Sequence, residues 1–388
     1  MQHNRTSANC GIRGLVAFAA FLVLAAQSTA NPFPFVQKES KKDDKKEDEK
    51  KKGETHPIKR LTQGLGFYGI GPVSPDGRRL LFLAHKPDSA PNVYVMDLSD
   101  FSIRPPLTAF PWGAGDPAWS RDGNMIAFAG FGETATFPDL YVQDLKSAKI
   151  KQLTKNSFTD KEPAFTPDGK RLLFTTDESP LPDAAFGILH IGSVAVAGGK
   201  SEYFTEDETS TIKPRITSDG KSALLIKIDD NSGRHSLWRY GFDGKPQADL
   251  TERKFARIHQ YLPVGATDQI VIWAQEEVEQ QDGIYTLDLK TREIRELPDP
   301  DLPKRSPAVS PDGKLIAFIA PTGTGGHLFL FDSATGGIQQ LTYKGTRTHS
   351  PVFISNDKIL FGSDRDKATE LYLLDLAPPP PPEAEKKK

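Results

Sequence analysis

Nine side chains stand where they could do chemistry together: Tyr68, Asp116, Lys161, Glu162, Lys213, His259, Gln260, Arg305 and His349. Most of them lie just upstream of a proline that itself precedes a Ser/Thr-x-Asp-Gly turn or a relic of one. As a group they carry both signs of charge, which suits ion pairing and hydrogen bonding to a polar segment of a partner. His259, Gln260 and His349 are the nearest approach to a set of metal ligands, and as a weaker reading they would hold a transition metal for hydrolytic or eliminative chemistry. The aspartates of the turns, Asp76, Asp122, Asp168, Asp219 and Asp312, form a series of their own. Their spacing from Ser/Thr and Gly is that of turn formers, so no catalytic role is assigned to them.

The familiar catalytic arrangements are missing. The sequence has no G-x-S-x-G elbow, no H-E-x-x-H, no phosphate-binding loop and no cysteine ligand. No cofactor is expected. The formal charge of −2 argues against a nucleic-acid binder.

The elements that must position these residues repeat. Ser74-Pro75-Asp76-Gly77, Ser120-Arg121-Asp122-Gly123, Thr166-Pro167-Asp168-Gly169 and Thr217-Ser218-Asp219-Gly220 follow one another at spacings of 46, 46 and 51 residues. A degenerate copy at Ala266-Thr267-Asp268 comes next, then Ser310-Pro311-Asp312-Gly313 and a shortened Ser355-Asn356-Asp357. Proline or a polar residue sets the second turn position and glycine takes the left-handed fourth. An apolar strand follows each turn, for example Leu315-Ile316-Ala317-Phe318. Next comes an alternating strand: NVYVMDL (Asn92 to Leu98), DLYVQDL (Asp139 to Leu145), GILHI (Gly187 to Ile191), SLWRY (Ser236 to Tyr240), GIYTLDL (Gly283 to Leu289), HLFLFD (His327 to Asp332) and ELYLLDL (Glu370 to Leu376). A fourth strand is expected to end near Leu-Thr at Leu107-Thr108, Leu153-Thr154, Leu250-Thr251 and Leu341-Thr342.

Four short strands per unit of about 46 residues make the blade of a propeller. The predicted fold is therefore all-β, a seven-bladed β-propeller, with six blades if the degenerate unit does not form one. The seventh unit lacks a Leu-Thr strand and the first is preceded by a spare one, Arg60-Leu61-Thr62. An N-terminal strand completing the last blade would close the ring and remove an exposed edge. The nine side chains then fall at the mouth of the central channel.

Around the propeller, assigned to residues 57–377, the sequence changes character. Residues 1–30 have Arg5 and Arg13, an apolar run from Gly14 to Ala26 and a Ser28-Thr29-Ala30 ending, which reads as a cleaved secretory signal peptide. Cys10, the sole cysteine, precedes the apolar run and so is misplaced for a lipid anchor. Residues 31–56 form a charged linker, with eight lysines and seven acids between Lys38 and Glu54. Such a segment buries too little to fold. Residues 378–388 are a tail of five prolines and EAEKKK. No later stretch is long and apolar enough to span a membrane.

The pattern P-A-x-S-P-D-G-K-x-I-A-F, followed by a tyrosine-bearing strand ending in Asp-Leu and then by Leu-Thr, resembles the TolB-like propeller repeat. This is the PD-type relative of the WD repeat, and the likeness runs from about Arg60 to Leu376. The resemblance implies a periplasmic protein of the bacterial envelope. It also implies kinship with TolB, the propellers of prolyl-oligopeptidase-like hydrolases and, more distantly, oligogalacturonate lyases. TolB carries an α/β domain ahead of its propeller, where this sequence has the charged linker. The expected function is a monomeric, non-enzymatic, exported scaffold that binds an envelope protein or peptide at the channel mouth. The alternative is a channel-sited, metal-dependent lyase or hydrolase acting on a sugar polymer or lactone.

Overall fold

The computed structural model describes residues 54–377 apart from 55, 133–135, 180–187, 206–207, 266, 300 and 324. The leader, most of the charged linker and the proline tail lie outside the described residues. Within them every regular element is a strand, and the strands form seven antiparallel sheets. Blade 2 is representative: Ala114–Trp119, Met125–Gly130, Asp139–Asp144 and Ile150–Gln152 run from the axis outward, each hydrogen-bonded to the next in sequence. The degenerate unit is a full blade, with strands Arg257–Pro263, Gln269–Gln275, Gly283–Asp288 and Ile294–Glu296.

The turns show why their residues recur. In the first, Ser74 Oγ accepts the Arg79 N–H at 2.9 Å and donates to Asp76 Oδ1 at 2.5 Å, while Asp76 accepts the Arg78 N–H at 3.1 Å. Gly77 closes the turn at φ +70°, a conformation that costs any L-residue strain. Ser310, Asp312 and Gly313 repeat this arrangement. The turn serine's hydroxyl, and then a backbone N–H, hold Asp76 and Asp312 below the usual carboxylate range.

The Leu-Thr pairs have an equally local cause. The Thr108, Thr154, Thr205, Thr251 and Thr342 hydroxyls each accept an N–H from the third strand of their own blade, at 2.9–3.0 Å. Thr62 does the same for Leu371, although 309 residues separate them. Ile58–Arg60 pairs antiparallel with Ala368–Asp375, so the N-terminal strand completes blade 7 as expected. Glu370, buried, fastens this closure by accepting from Arg60 at 2.8 Å, from the Gly64 N–H at 2.8 Å and from the Thr62 hydroxyl.

Two details differ from expectation. Blade 1 has three regular strands, Gly66–Val73, Arg79–His85 and Asn92–Asp97, and its fourth is reduced to a bridge between Met96 and Ile103. The two prolines at Pro105-Pro106 supply no N–H for a ladder there. The third strand of blade 3 is His190–Ala195 rather than Gly187–Ile191. Thr205 sets this register by binding the Ile191 N–H.

Packing follows the ring. The buried apolar residues fall into seven clusters, one at each interface between neighbouring blades. The cluster between blades 7 and 1 contains Phe67, Phe82, Leu360 and Leu371, so burial of apolar surface, as well as the Ile58–Arg60 strand, joins the ends of the chain.

Candidate functional site at the channel mouth

The inner strands are not regular. Each departs from simple register with its neighbour: between Gly115 and Ala118 in blade 2, Ile212 and Arg215 in blade 4, and Arg305 and Ala308 in blade 6, for example. At five of these bulges a non-glycine residue adopts a left-handed φ: Asp116 at +49°, Glu162 and Lys213 at +56°, Ser306 at +48° and Ser350 at +50°. Each is followed directly by a proline. Left-handed backbone costs an L-residue about 1 kcal/mol or more, and the bulge re-aims the side chain it carries.

This geometry sorts the nine candidates. Asp116, Glu162 and Lys213 occupy the bulge itself. Arg305 and His349 lie one residue upstream, and their blades present Ser306 and Ser350 at the equivalent place. Lys161 and Gln260 are half-buried on their inner strands.

A chain of polar contacts then runs around the wall. The Glu162 N–H donates to Asp116 Oδ2 at 3.4 Å, and Glu162 Oε2 accepts the Thr175 hydroxyl at 2.8 Å. Thr175 Oγ1 accepts the Lys213 N–H at 3.0 Å, and Lys213 Nζ donates to the His259 carbonyl at 2.6 Å. His259 Nε2 meets Asp282 Oδ1 at 3.1 Å, and the other Asp282 oxygen lies 3.4 Å from Arg305 Nε. Asp116, Glu162, Lys213, His259 and Arg305 thus share one network spanning blades 2 to 6. Thr175 and Asp282 complete it and were not among the candidates. Neither lies on an inner strand, so the spacing of turn and proline carried no signal for them.

The electrostatics fit a channel wall. Asp116 keeps solvent-accessible surface yet is surrounded by protein. Desolvation, and then repulsion from Glu162, push its carboxyl up to about 6. Burial pulls the Lys213 ammonium below its usual value, with Glu162 opposing.

Tyr68 and His349 stand apart from the network. Tyr68 lines a cavity of about 450 Å³ with His85, Pro91, Pro111 and the half-exposed Trp112. His349 is buried, stacked on Phe67 with ring centroids 5.5 Å apart, and its imidazole lies so close to Gly362 that no Cβ would fit there. Its desolvation holds the ring neutral, with a pKa of about 4. His349 is therefore a packing residue rather than a ligand offered to the channel. His259, in turn, is engaged by Asp282 and packs against Trp273 at 4.6 Å. Among the described residues no group of three or more His, Cys, Asp or Glu is placed to hold a metal, and of the His259, Gln260 and His349 set His259 is held by Asp282 and His349 is buried against Phe67.

Comparison with known proteins agrees with this architecture. Residues 70–281 match the family profile of the TolB β-propeller domain. The Tol-Pal system protein TolB of Francisella tularensis (subsp. mediasiatica) is 22% identical over 214 residues, 54% of this chain and 46% of that protein. An uncharacterized peptidase, YuxL, of Bacillus subtilis is 28% identical over 146 residues, 29% of this chain and 22% of the relative. The chain thus spans less than half the length of the curated relatives it matches. Among solved structures, oligogalacturonate lyase from Vibrio parahaemolyticus superposes with a TM-score of 0.60 at 15% identity, over 83% of this chain and 94% of that one. TolB from Acinetobacter baumannii does so with 0.50 at 22%, over 68% and 63%. At such identities these structures share the fold alone. The seven sheets, the repeated turns and the family match lead to one assignment: the chain belongs to the TolB β-propeller family.

Proposed function

We propose that this protein is an exported, non-enzymatic scaffold of the bacterial periplasm that holds another envelope protein or peptide at the mouth of its channel. The observation that carries the reading is the polar network from Asp116 to Arg305. Its groups are spread along the wall of five blades rather than converging on one reacting atom, a layout suited to reading an extended polar segment. The leader-like N-terminus supports export, and the TolB relatives support a place in the envelope. Among the described residues no helix is long and apolar enough to cross a membrane.

The test is capture from envelope extract, comparing the wild type with the variant Asp116→Ala, Glu162→Ala, Arg305→Ala. The variant is expected to lose a partner that the wild type retains. Retention of every partner would overturn the assignment to the channel mouth. Turnover of polyuronate by the purified protein would overturn the non-enzymatic reading in favour of lyase chemistry.

A further inference from the structure

The channel wall is not balanced in charge. Lys161, Lys213, Arg215 and Arg257 follow one another through blades 3 to 5, and Arg305 continues the series into blade 6. Among the described residues Arg305 alone of these has a carboxylate within ion-pair distance, Asp282. The others lie close enough to repel. On Lys213 desolvation lowers the affinity for its proton, Glu162 opposes it, and Arg215 and Lys161 then lower it further; Arg257 and Lys213 act in the same lowering sense on His235, behind its own desolvation. The nearby carboxylates Asp116, Glu162 and Asp282 offset part of this charge but are three against five cations. The whole chain is slightly acidic, so this arc is a local reversal of its charge.

We infer that the arc receives the carboxylates of an acidic polypeptide segment, an assignment that rests on the channel-mouth reading above. Lys161 and Lys213 are half-buried, Arg215 and Arg257 are exposed, and none of the four has a carboxylate within ion-pair distance among the described residues, so a bound carboxylate supplies what they lack. A polypeptide is favoured over an acidic sugar polymer by a cavity on blades 1 and 2 of the same ring. The cavity of about 450 Å³ beside Tyr68, Pro91, Pro111 and Trp112 opens at the end of the blades where the inner strands begin. Its lining suits an apolar side chain, which a segment mixing acidic and apolar residues has and a uronate chain does not.

The experiment measures fluorescence anisotropy of the full-length mature protein with three labelled peptides built from Glu-Glu-Leu, Gln-Gln-Leu and Lys-Lys-Leu repeats, at low and high salt. The acidic peptide is expected to bind most tightly and to weaken about tenfold or more as salt screens the arc. Arg215→Ala, which removes an exposed side chain, and Lys213→Gln are each expected to weaken it about fivefold. Circular dichroism melts of both variants show whether the fold is kept, and Arg215→Ala carries the test if Lys213→Gln does not fold. Equal binding of the neutral peptide, or tighter binding of the basic one, overturns the charge assignment and leaves the channel-mouth reading standing. Displacement of the acidic peptide by oligogalacturonate at lower concentration than by unlabelled peptide overturns the polypeptide class. No binding by any peptide also overturns the inference. The channel-mouth reading falls with it only if the triple variant still captures every envelope partner.

Discussion

His349 shows how one residue can carry a pH dependence without taking part in function. Its pKa in the folded protein is about 4, against 6.5 for an exposed imidazole. Between those values the unfolded chain binds a proton that the folded chain refuses. The stability present above pH 6.5 is therefore lost as the pH falls towards 4. Over 2.5 pH units the loss amounts to roughly 3 kcal/mol from this residue. His235, half-buried and also held near 4 by desolvation, adds a loss of the same sign. Asp160 works the other way: desolvation raises it to about 6, so its contribution fades as the pH rises from 3.8. In His349→Phe the ring keeps its stack on Phe67 but loses the proton. Urea midpoints at pH 7.5 and pH 5 should then differ by less than in the wild type, by up to about 2 kcal/mol in stability. An unchanged difference would show that His349 does not titrate with unfolding. The sequence placed this histidine at the channel because it follows the same spacing as Arg305. Which way a side chain turns at a bulge depends on the strand beside it, and spacing alone does not report that.

At the scale of the element, a capping threonine ends every blade but the fifth, where Pro298 stands in its place. Thr342 is buried and its hydroxyl accepts the Leu328 N–H at 2.9 Å. Thr342→Val keeps the shape and leaves that N–H without its acceptor. The expected cost is about 1–3 kcal/mol, measured by equilibrium denaturation. A loss below about 0.5 kcal/mol would mean that water or a nearby carbonyl replaces the hydroxyl. The same bond in blade 3 explains the one strand that the sequence misplaced. The run Gly187 to Ile191 reads as the strand, but the threonine fixes the ladder a few residues later. Turns and caps were legible because donor and acceptor lie within a few residues of each other. The reduced fourth strand of blade 1 was less so, because Leu107-Thr108 is present and still caps Val93 even though the strand before it is broken by prolines.

For the whole molecule, the decisive contact joins the two ends of the described chain. Ile58–Arg60 supplies the outer strand of blade 7, and Glu370 gathers Arg60, Thr62 and Gly64. Glu370→Ala would leave these donors facing a buried gap, at a cost of about 2–4 kcal/mol. Deleting residues 57–62 should cost more, because it also exposes the edge of Ala368–Asp375. Thermal melts should show Glu370→Ala shifted down and the deletion shifted further, with added concentration-dependent association from the open edge. A deletion that melts like the wild type would mean that the apolar cluster between blades 7 and 1 closes the ring without the strand. The sequence by itself determined the repeat, the turn chemistry and this closure, since each is written in residues that bond within a unit or in a strand surplus at one end matched by a deficit at the other. Only the tertiary structure decided which side chains meet in the channel. Asp116, Thr175, Lys213, Asp282 and Arg305 come from different blades, and from inner strands, a second strand and a loop. Their meeting depends on left-handed bulges and on the curvature of the closed ring, which no short stretch of sequence encodes.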